Sequence, residues 1–266
     1  MAAQPELEST PLEAAAPPAR GEMTLLGHLL ELRNRAIVCA AAVLIGCCVC
    51  FYFWEPILGW LLAPGRVQDP GLKLASFSPT DRIGVIFKIG MYGGFAIASP
   101  IVIYEILAFV VPGLTTRERR AAIPIVVGAV AFLAAGMAFA YWAVLPLSLG
   151  FLLKFGGSQI NNVIGVRQYT DFVIRSMFFA GLAFELPVVL GILGWLNIVK
   201  PKALLGFWRY MIILVFLAAC FIVPTPDPID QAIVAVPLMG LYLVGIGLAW
   251  ALGRNRRREA ELAAAG

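Results

Sequence analysis

The stretch MFFAGLAFELPVVLGILGW, residues 177–195, has the length and hydrophobicity of a helix that spans a membrane. Glu185 lies near its middle, two residues before Pro187. A charged side chain at the centre of a bilayer costs about 3 kcal/mol even on insertion scales. Three arrangements would lower this cost: protonation of the acid, a polar partner, or hydration of a water-lined concave face. The stretch predicts a membrane protein in which Glu185 has either a transport role or a purely structural hydrogen bond.

The rest of the chain has the same hydrophobic character. Of its 266 residues, 61% are apolar and 14% are charged, whereas soluble domains average about 45–50% apolar and about 25% charged residues. The apolar runs are continuous rather than alternating, which favours helices over a transmembrane β-barrel. The composition therefore predicts an all-α integral membrane protein.

The two ends of the chain differ from this hydrophobic middle. Residues 1–22 are acidic and rich in Ala and Pro, without the basic start and apolar centre of a signal peptide, and predict a disordered tail. Residues 254–266 are basic and then Ala-rich, and disorder is expected after Arg258 as well. The membrane domain is therefore expected at residues 23–253.

Six apolar runs predict six membrane-spanning helices, at residues 36–53, 89–111, 121–145, 172–196, 210–223 and 232–252. The fifth run is shorter than the about 20 residues that a straight span needs, so it either crosses a thinned bilayer or forms a short hairpin. Its flanking charges favour crossing. Four prolines inside the runs predict kinked helices and a curved bundle: Pro100, Pro124, Pro187 and Pro237.

The distribution of basic residues predicts the orientation. With six crossings, 13 of the 20 Lys and Arg residues fall on the side of the two termini and 7 fall on the other side. The positive-inside rule therefore places both termini in the cytoplasm. Two larger external loops follow, at about residues 55–82 and 154–171.

Several residue types exclude other classes of site. The single histidine, His28, rules out a metal site with several histidines and leaves little room for a Ser-His protease. Neither a metal nor another cofactor is expected. Gly90 and Gly94 form a G-x-x-x-G pattern that allows close helix approach, within the chain or between two copies. The cysteines all lie in apolar runs and are expected to be free, small hydrophobic side chains: Cys39, Cys47, Cys48, Cys50 and Cys220.

A polar segment, GHLLELRNR at residues 27–35, precedes the first run. Glu31 and Arg35 stand four residues apart and would pair on a helix. Taken alone, the segment is typical of an interfacial helix whose basic residues face lipid phosphates.

A second polar segment, FVVPGLTTRERR at residues 109–120, joins the second and third runs. Its Pro-Gly pair predicts a turn, and Glu118 fits a capping box for the next helix. Glu31, Glu105 and Glu118 would nevertheless place three carboxylates near one membrane surface. Carboxylates suit a cationic peptide with paired arginines, because the guanidinium group binds them through two parallel hydrogen bonds.

The chain resembles the TatC family in three motifs and in their order between the apolar runs: HLLELRNR, FVVPGLTTRERR and FELPVV. TatC is the multi-span receptor subunit of the twin-arginine protein translocase. SPTDRIGVIFKIG (residues 78–90) and TPDPIDQAIVAVP (residues 225–237) add to a resemblance that covers residues 27–252. It implies a six-span, glove-shaped bundle in a bacterial inner (plasma) membrane, with both termini cytoplasmic. It also implies export of folded proteins carrying Arg-Arg signal peptides, powered by the proton-motive force, without enzymatic activity.

The resemblance also implies roles for individual side chains. For signal-peptide binding these are Glu31, Glu118, Arg33, Arg35, Phe109 and Pro112, together with Glu105, where the family often has Gln. It implies an intramembrane polar role for Glu185 and a polar pair at the outer end of the second span for Asp81 and Lys88. It implies docking of single-span TatA- and TatB-type partners, and assembly with further copies of the chain. The implied docking residues are Gln231, Asp227 and Thr225, in a turn that departs from the usual Thr-Pro-Pro-Asp of the family.

One alternative class remains open from the residues themselves. In a proton-coupled secondary transporter of a small solute, Glu185 and the prolines inside the spans would form an ion site. The lack of visible repeats and the clustered cytoplasmic acids count against this alternative. An intramembrane protease is disfavoured because the sequence has no G-x-G-D motif.

Overall fold

The protein is described by a computed structural model at residues 25–110, 116–154, 163–195, 198–223 and 228–264. Helices account for nearly all of these ranges, with one π-helical turn and two short strands. In chain order the elements are α1 Leu25–Tyr52, α2 Trp54–Gln68, β1 Lys73–Ala75, α3 Pro79–Val110, α4 Thr116–Phe139, the π turn Ala140–Val144, α5 Leu145–Lys154, β2 Val163–Gly165, α6 Val166–Phe184, α7 Leu186–Trp195, α8 Pro201–Gly206, α9 Trp208–Ile222 and α10 Pro228–Ala264.

The helices agree with the six predicted spans. Five segments of the described residues are long and apolar enough to cross a membrane: Gly27–Tyr52, Pro79–Phe109, Pro124–Leu152, Val166–Trp195 and Gln231–Arg254. The shorter apolar helix Trp208–Ile222 occupies the position of the fifth predicted run. The all-helical prediction holds except for β1 and β2.

Prolines interrupt two of the spans. Pro187 has no N–H for the carbonyl four residues earlier, and the chain turns at Glu185, which separates α6 from α7. Pro146 follows the π turn, whose wider hydrogen bond runs from the N–H of Leu145 to the carbonyl of Ala140. The other three prolines expected to kink helices lie inside α3, α4 and α10, which continue through them.

The helices pack in an order that separates the first from the last. α1 packs along α3, α3 contacts α4 and α6, and α10 packs against α7 and α9. The core lies where α3, α6, α9 and α10 meet and includes the fully buried Ile89, Val173, Ile222 and Tyr242. Leucines and isoleucines on the outer faces of α1 and α9 are exposed, as expected for surfaces that face lipid.

Glycines bring α1 and α3 into backbone contact. A Cβ atom at Gly94 would lie 2.5 Å from the backbone nitrogen of Cys47, and one at Gly46 would lie 2.5 Å from the carbonyl oxygen of Gly94. At Gly90 a Cβ atom would meet the ring of Phe51 at 2.5 Å. The G-x-x-x-G pattern therefore packs two helices of the same chain.

We expect Gly94→Ala to destabilise the protein by about 1–3 kcal/mol, because the new methyl group must push α1 away from α3. The measurement is the thermal unfolding midpoint of the purified protein in detergent. Gly240→Ala is the matched control, since a Cβ atom there meets nothing within 4 Å. An unchanged midpoint for Gly94→Ala would contradict the close packing.

The end of the bundle opposite the termini contains a helix and two strands that were not predicted from the sequence. The loop predicted at residues 55–82 contains α2 and β1, and the loop at 154–171 contains β2. β1 and β2 pair in parallel, with Leu74 opposite Ile164. The hydroxyl of Tyr169 accepts a 2.9 Å hydrogen bond from the N–H of Gly65 and donates one of 3.2 Å to the carbonyl of Leu61. These contacts hold α2 and the strand pair against the start of α6.

The end of α10 corrects one expectation. The backbone is helical as far as Ala264, so the disorder expected after Arg258 is wrong for residues 259–264. The segment after Gly253 contains no Gly or Pro before Gly266 and is rich in Ala, Arg and Glu, which are strong helix formers. These intrinsic preferences extend the last span into a longer helix.

Candidate functional site

A guanidinium group joins two carboxylates at the end of the bundle where α1 begins and α3 ends. Arg35 donates from Nη2 and Nε to Oε1 of Glu31, at 2.6 and 3.0 Å, and from Nη1 to Oε2 of Glu105 at 2.8 Å. The pair with Glu31 follows from the four-residue spacing on α1, as predicted. The pair with Glu105 crosses to α3 and brings together residues that are 70 positions apart.

All three side chains of this guanidinium site, Glu31, Arg35 and Glu105, are partly buried. Their exposed fractions are 23%, 26% and 15%, so solvent screens these ion pairs less than surface pairs. The second carboxylate oxygen of Glu31, Oε2, is buried and has no hydrogen-bond partner among the described residues. An ionised carboxylate accepts several hydrogen bonds, so this oxygen has unused acceptor capacity. Two carboxylates and one guanidinium give the three groups a net charge of −1.

An aromatic contact next to these charges also joins α1 to α3. The rings of His28 and Phe109 stack with centroids 4.5 Å apart at an angle of 18°. His28 precedes Glu31 by three residues and Phe109 follows Glu105 by four, so the stack lies one turn beyond the ion pairs on both helices. Phe109 is among the residues predicted for the site, whereas His28 was not predicted there. The i, i+3, i+7 spacing of His28, Glu31 and Arg35 is the signal that would have found it.

The other predicted signal-peptide residues are either outside the guanidinium site or not described by the structure. Arg33 is exposed and donates to the side chain of Asn34 at 3.3 Å, so it does not join the guanidinium site. Glu118 is the third residue of α4, which begins at Thr116, and its side chain is not among those described. Pro112 lies outside the described residues. The convergence of Glu118 with Glu31 stays a prediction.

Glu185 sits at the junction of α6 and α7. Its N–H donates to the carbonyl of Leu182 at 3.1 Å, and its own carbonyl accepts from Val189 at 3.0 Å. Oε1 is buried with no hydrogen-bond partner in the part of the chain that the structure describes. Burial of a polar atom without a partner costs about 1–3 kcal/mol. Glu185 therefore lowers the stability of the folded protein.

Asp81 and Lys88 lie on α3 at the end opposite the termini, and each has its own partner on α6. Asp81 accepts two backbone N–H bonds of 3.0 Å at the start of α3, and Nη1 of Arg167 lies 3.7 Å from its other oxygen. Lys88 pairs with Asp171. The two predicted residues therefore belong to two ion pairs that link α3 to α6, instead of pairing with each other.

The predicted docking residues lie around the start of α10. Gln231 is half-buried, and its Nε2 donates to Sγ of Cys220 near the end of α9 at 3.2 Å. Thr225 and Asp227 lie outside the described residues. Gln231 thus sits where the short fifth span meets the sixth.

The described residues contain no group of three or more His, Cys, Asp or Glu side chains placed to hold a metal ion. The cysteines are free thiols, and Cys50 is buried against Gly93.

Comparison with known proteins gives one consistent family. Residues 27–237 match the family model described as TatC, Sec-independent protein translocase protein. The chain is 37% identical to the Sec-independent protein translocase protein TatC of Synechocystis over 88% of this chain and 90% of that protein. It is 36% identical to the TatC protein of Aquifex aeolicus over 91% of this chain and the whole of that protein. A crystal structure of the twin-arginine translocase receptor TatC matches with a TM-score of 0.75 and 36% identity, covering 85% of this chain and 99% of that one.

Proposed function

Since the chain belongs to the TatC family of Sec-independent protein translocase receptors, we propose that its guanidinium site binds the paired arginines of signal peptides on folded cargo. The family consists of translocase subunits and not of enzymes, in agreement with the prediction. The site would then lie at the cytoplasmic face of a bacterial inner membrane, as the excess of basic residues on the side of the termini suggests.

One observation carries this proposal: an arginine of the chain itself already occupies the site. Arg35 is held by Glu31 and Glu105 through three charge-assisted hydrogen bonds of 2.6–3.0 Å. These lengths are those of strong ion pairs. The geometry that accepts Arg35 is therefore suited to a guanidinium group, and Oε2 of Glu31 has unused acceptor capacity.

The occupied site also supports a mechanism of exchange. An incoming arginine would compete with Arg35 for Glu31 and Glu105, and displacement of Arg35 would open the buried Oε2 of Glu31 to the new donor. Exchange of one guanidinium for another conserves the number of ion pairs, so the carboxylates never remain buried without a counter-ion. Glu118, in the first turn of α4, would hold the second arginine of the pair.

Photocrosslinking tests this proposal. With a photoreactive residue at position 116, in the first turn of α4, an Arg-Arg signal peptide should crosslink at least about tenfold more than the same peptide with Lys-Lys, since lysine has no planar pair of donors. The control position is Phe77, which is 64% exposed at the opposite end of the bundle and should capture neither peptide. Equal capture of both peptides at position 116 would overturn the proposal.

The family also supports a partner surface. We propose that the short span α9 and the start of α10, at Gln231, dock single-span TatA- and TatB-type proteins, and that further copies of the chain complete the complex. α9 has the length of a partial span, and its outer face carries Ile213, Leu217 and Phe221 exposed by 54–68%. The secondary-transporter alternative has no support from the family or from the described residues.

A further inference from the structure

A groove opens between α1, α3 and α6 at the end opposite the termini. Its volume is about 800 Å³. Apolar side chains form its walls, including Val43 of α1, Phe87, Met91 and Phe95 of α3, and Phe178 of α6. From Thr80 to Phe95 it extends about 22 Å along α3, which is longer than the roughly 15 Å of hydrocarbon in one leaflet. The groove therefore runs from the headgroup region to the bilayer centre.

The cationic side chains of the groove lining are Arg167 of α6 and Lys88 of α3. Arg167 is about half exposed and lies 3.7 Å from Asp81, which is too far for a hydrogen bond. Arg175 is not one of the lining residues, but it follows Arg167 by eight residues and precedes Phe178 by three, which places it beside them on the same side of α6. Lys88 also lines the groove but is paired with Asp171.

Arg175 is the residue that requires an explanation. It is exposed, and it makes no hydrogen bond or ion pair with any other residue that the structure describes. The segment Val166–Trp195 would be about 45 Å long, about 15 Å more than the hydrocarbon core. Centred in the bilayer, it places Arg175 about 6 Å inside the hydrocarbon boundary. An arginine at that depth reaches the phosphate layer by extending its side chain towards the interface.

We propose that this groove binds an anionic phospholipid of the leaflet opposite the termini, with its phosphate on Arg175 and Arg167 and an acyl chain along Phe87, Met91 and Phe95. The phosphate supplies the counter-ion that Arg175 lacks within the described chain. The bidentate geometry of guanidinium suits a phosphate, and the apolar walls suit an acyl chain. The site is independent of signal-peptide binding, because the two lie at opposite ends of the bundle.

Native mass spectrometry of the purified protein tests this inference, with phosphatidylglycerol and phosphatidylcholine of identical acyl chains as probes. The first phosphatidylglycerol should bind about tenfold more tightly than phosphatidylcholine, because both lipids offer a phosphate but the choline group of phosphatidylcholine adds a positive charge close to the arginines. Arg175→Gln should remove most of this preference, and Arg175→Lys should retain part of it. Arg66→Gln is the matched control, since Arg66 is an exposed arginine at the same end on α2, a helix that contributes no residue to the groove lining. Equal binding of both lipids, or an unchanged preference in Arg175→Gln, would overturn the inference.

Two further variants separate the acyl chain from other occupants. Gly84 lines the groove, and a Cβ atom there meets only Nε of Arg167, at 4.0 Å, so Gly84→Leu should fill the groove without disturbing the helices and weaken binding of both lipids. Unchanged binding in this variant would place the lipid elsewhere. A photoreactive residue at Met91, which is 53% exposed, should capture lipid in cells. A protein adduct at that position would show instead that a partner helix fills the groove.

Discussion

Glu31→Lys is expected to weaken binding of an Arg-Arg signal peptide at least about 100-fold. The substitution removes the acceptor of two hydrogen bonds from Arg35 and the unpartnered Oε2, and it puts an ammonium group next to the guanidinium. Hydrogen bonds to charged groups contribute about 1.5–3 kcal/mol each, and every 1.4 kcal/mol is tenfold in affinity. The measurement is the dissociation constant of a fluorescent Arg-Arg peptide for the detergent-solubilised protein, together with export in cells.

Two further variants calibrate this result. Glu55→Lys makes the same change of charge at an exposed position on α2, at the opposite end of the bundle, and should leave peptide affinity unchanged. Glu105→Gln keeps a hydrogen-bond acceptor for Arg35 but loses its charge, so it should weaken binding by about tenfold. A Glu31→Lys protein that folds normally and binds the peptide within twofold of the unsubstituted chain would remove Glu31 from the binding site.

Glu185→Leu is expected to stabilise the protein while export falls to background. The leucine fills a similar volume and removes the buried Oε1, which lacks a partner among the described residues. The gain should be about 1–3 kcal/mol, the cost of leaving such an atom unpaired. A requirement of transport for a polar side chain at the break between α6 and α7 would explain why the chain has a destabilising carboxylate at Glu185. Stability would then be lower in exchange for activity.

Chemical unfolding in detergent and export of a reporter protein measure the two halves of this expectation. Glu185→Gln retains hydrogen bonding without charge, so residual export in this variant would show that Glu185 acts as a hydrogen-bonding group. Glu55→Leu deletes an exposed carboxylate as a control and should alter neither quantity. A Glu185→Leu protein that is less stable, or that exports normally, would instead make Glu185 a structural residue.

Features that depend on neighbours along the chain could be predicted from the sequence. Apolar runs of sufficient length predict spans because the bilayer core has one thickness. Pro187 breaks its helix because it lacks a backbone N–H. The ion pair of Glu31 with Arg35 follows from four-residue spacing, which places both side chains on one helix face.

Other features required the packed structure. Local periodicity carries no information about which helices lie side by side, so the second partner of Arg35, Glu105, was not predicted. The same holds for the stack of His28 on Phe109 and for the parallel pairing of β1 with β2 between two loops.

The amino-acid order alone determined how many helices cross, where they break and which residues carry charge, because helix geometry and bilayer thickness act on short stretches of chain. The tertiary structure decided which charges meet: Arg35 lies between Glu31 and Glu105, Lys88 pairs with Asp171, and Arg175 is left without a partner among the described residues. The physical reason is that an ion pair forms only within about 4 Å. For residues on different helices, that distance is set by how α1, α3 and α6 pack.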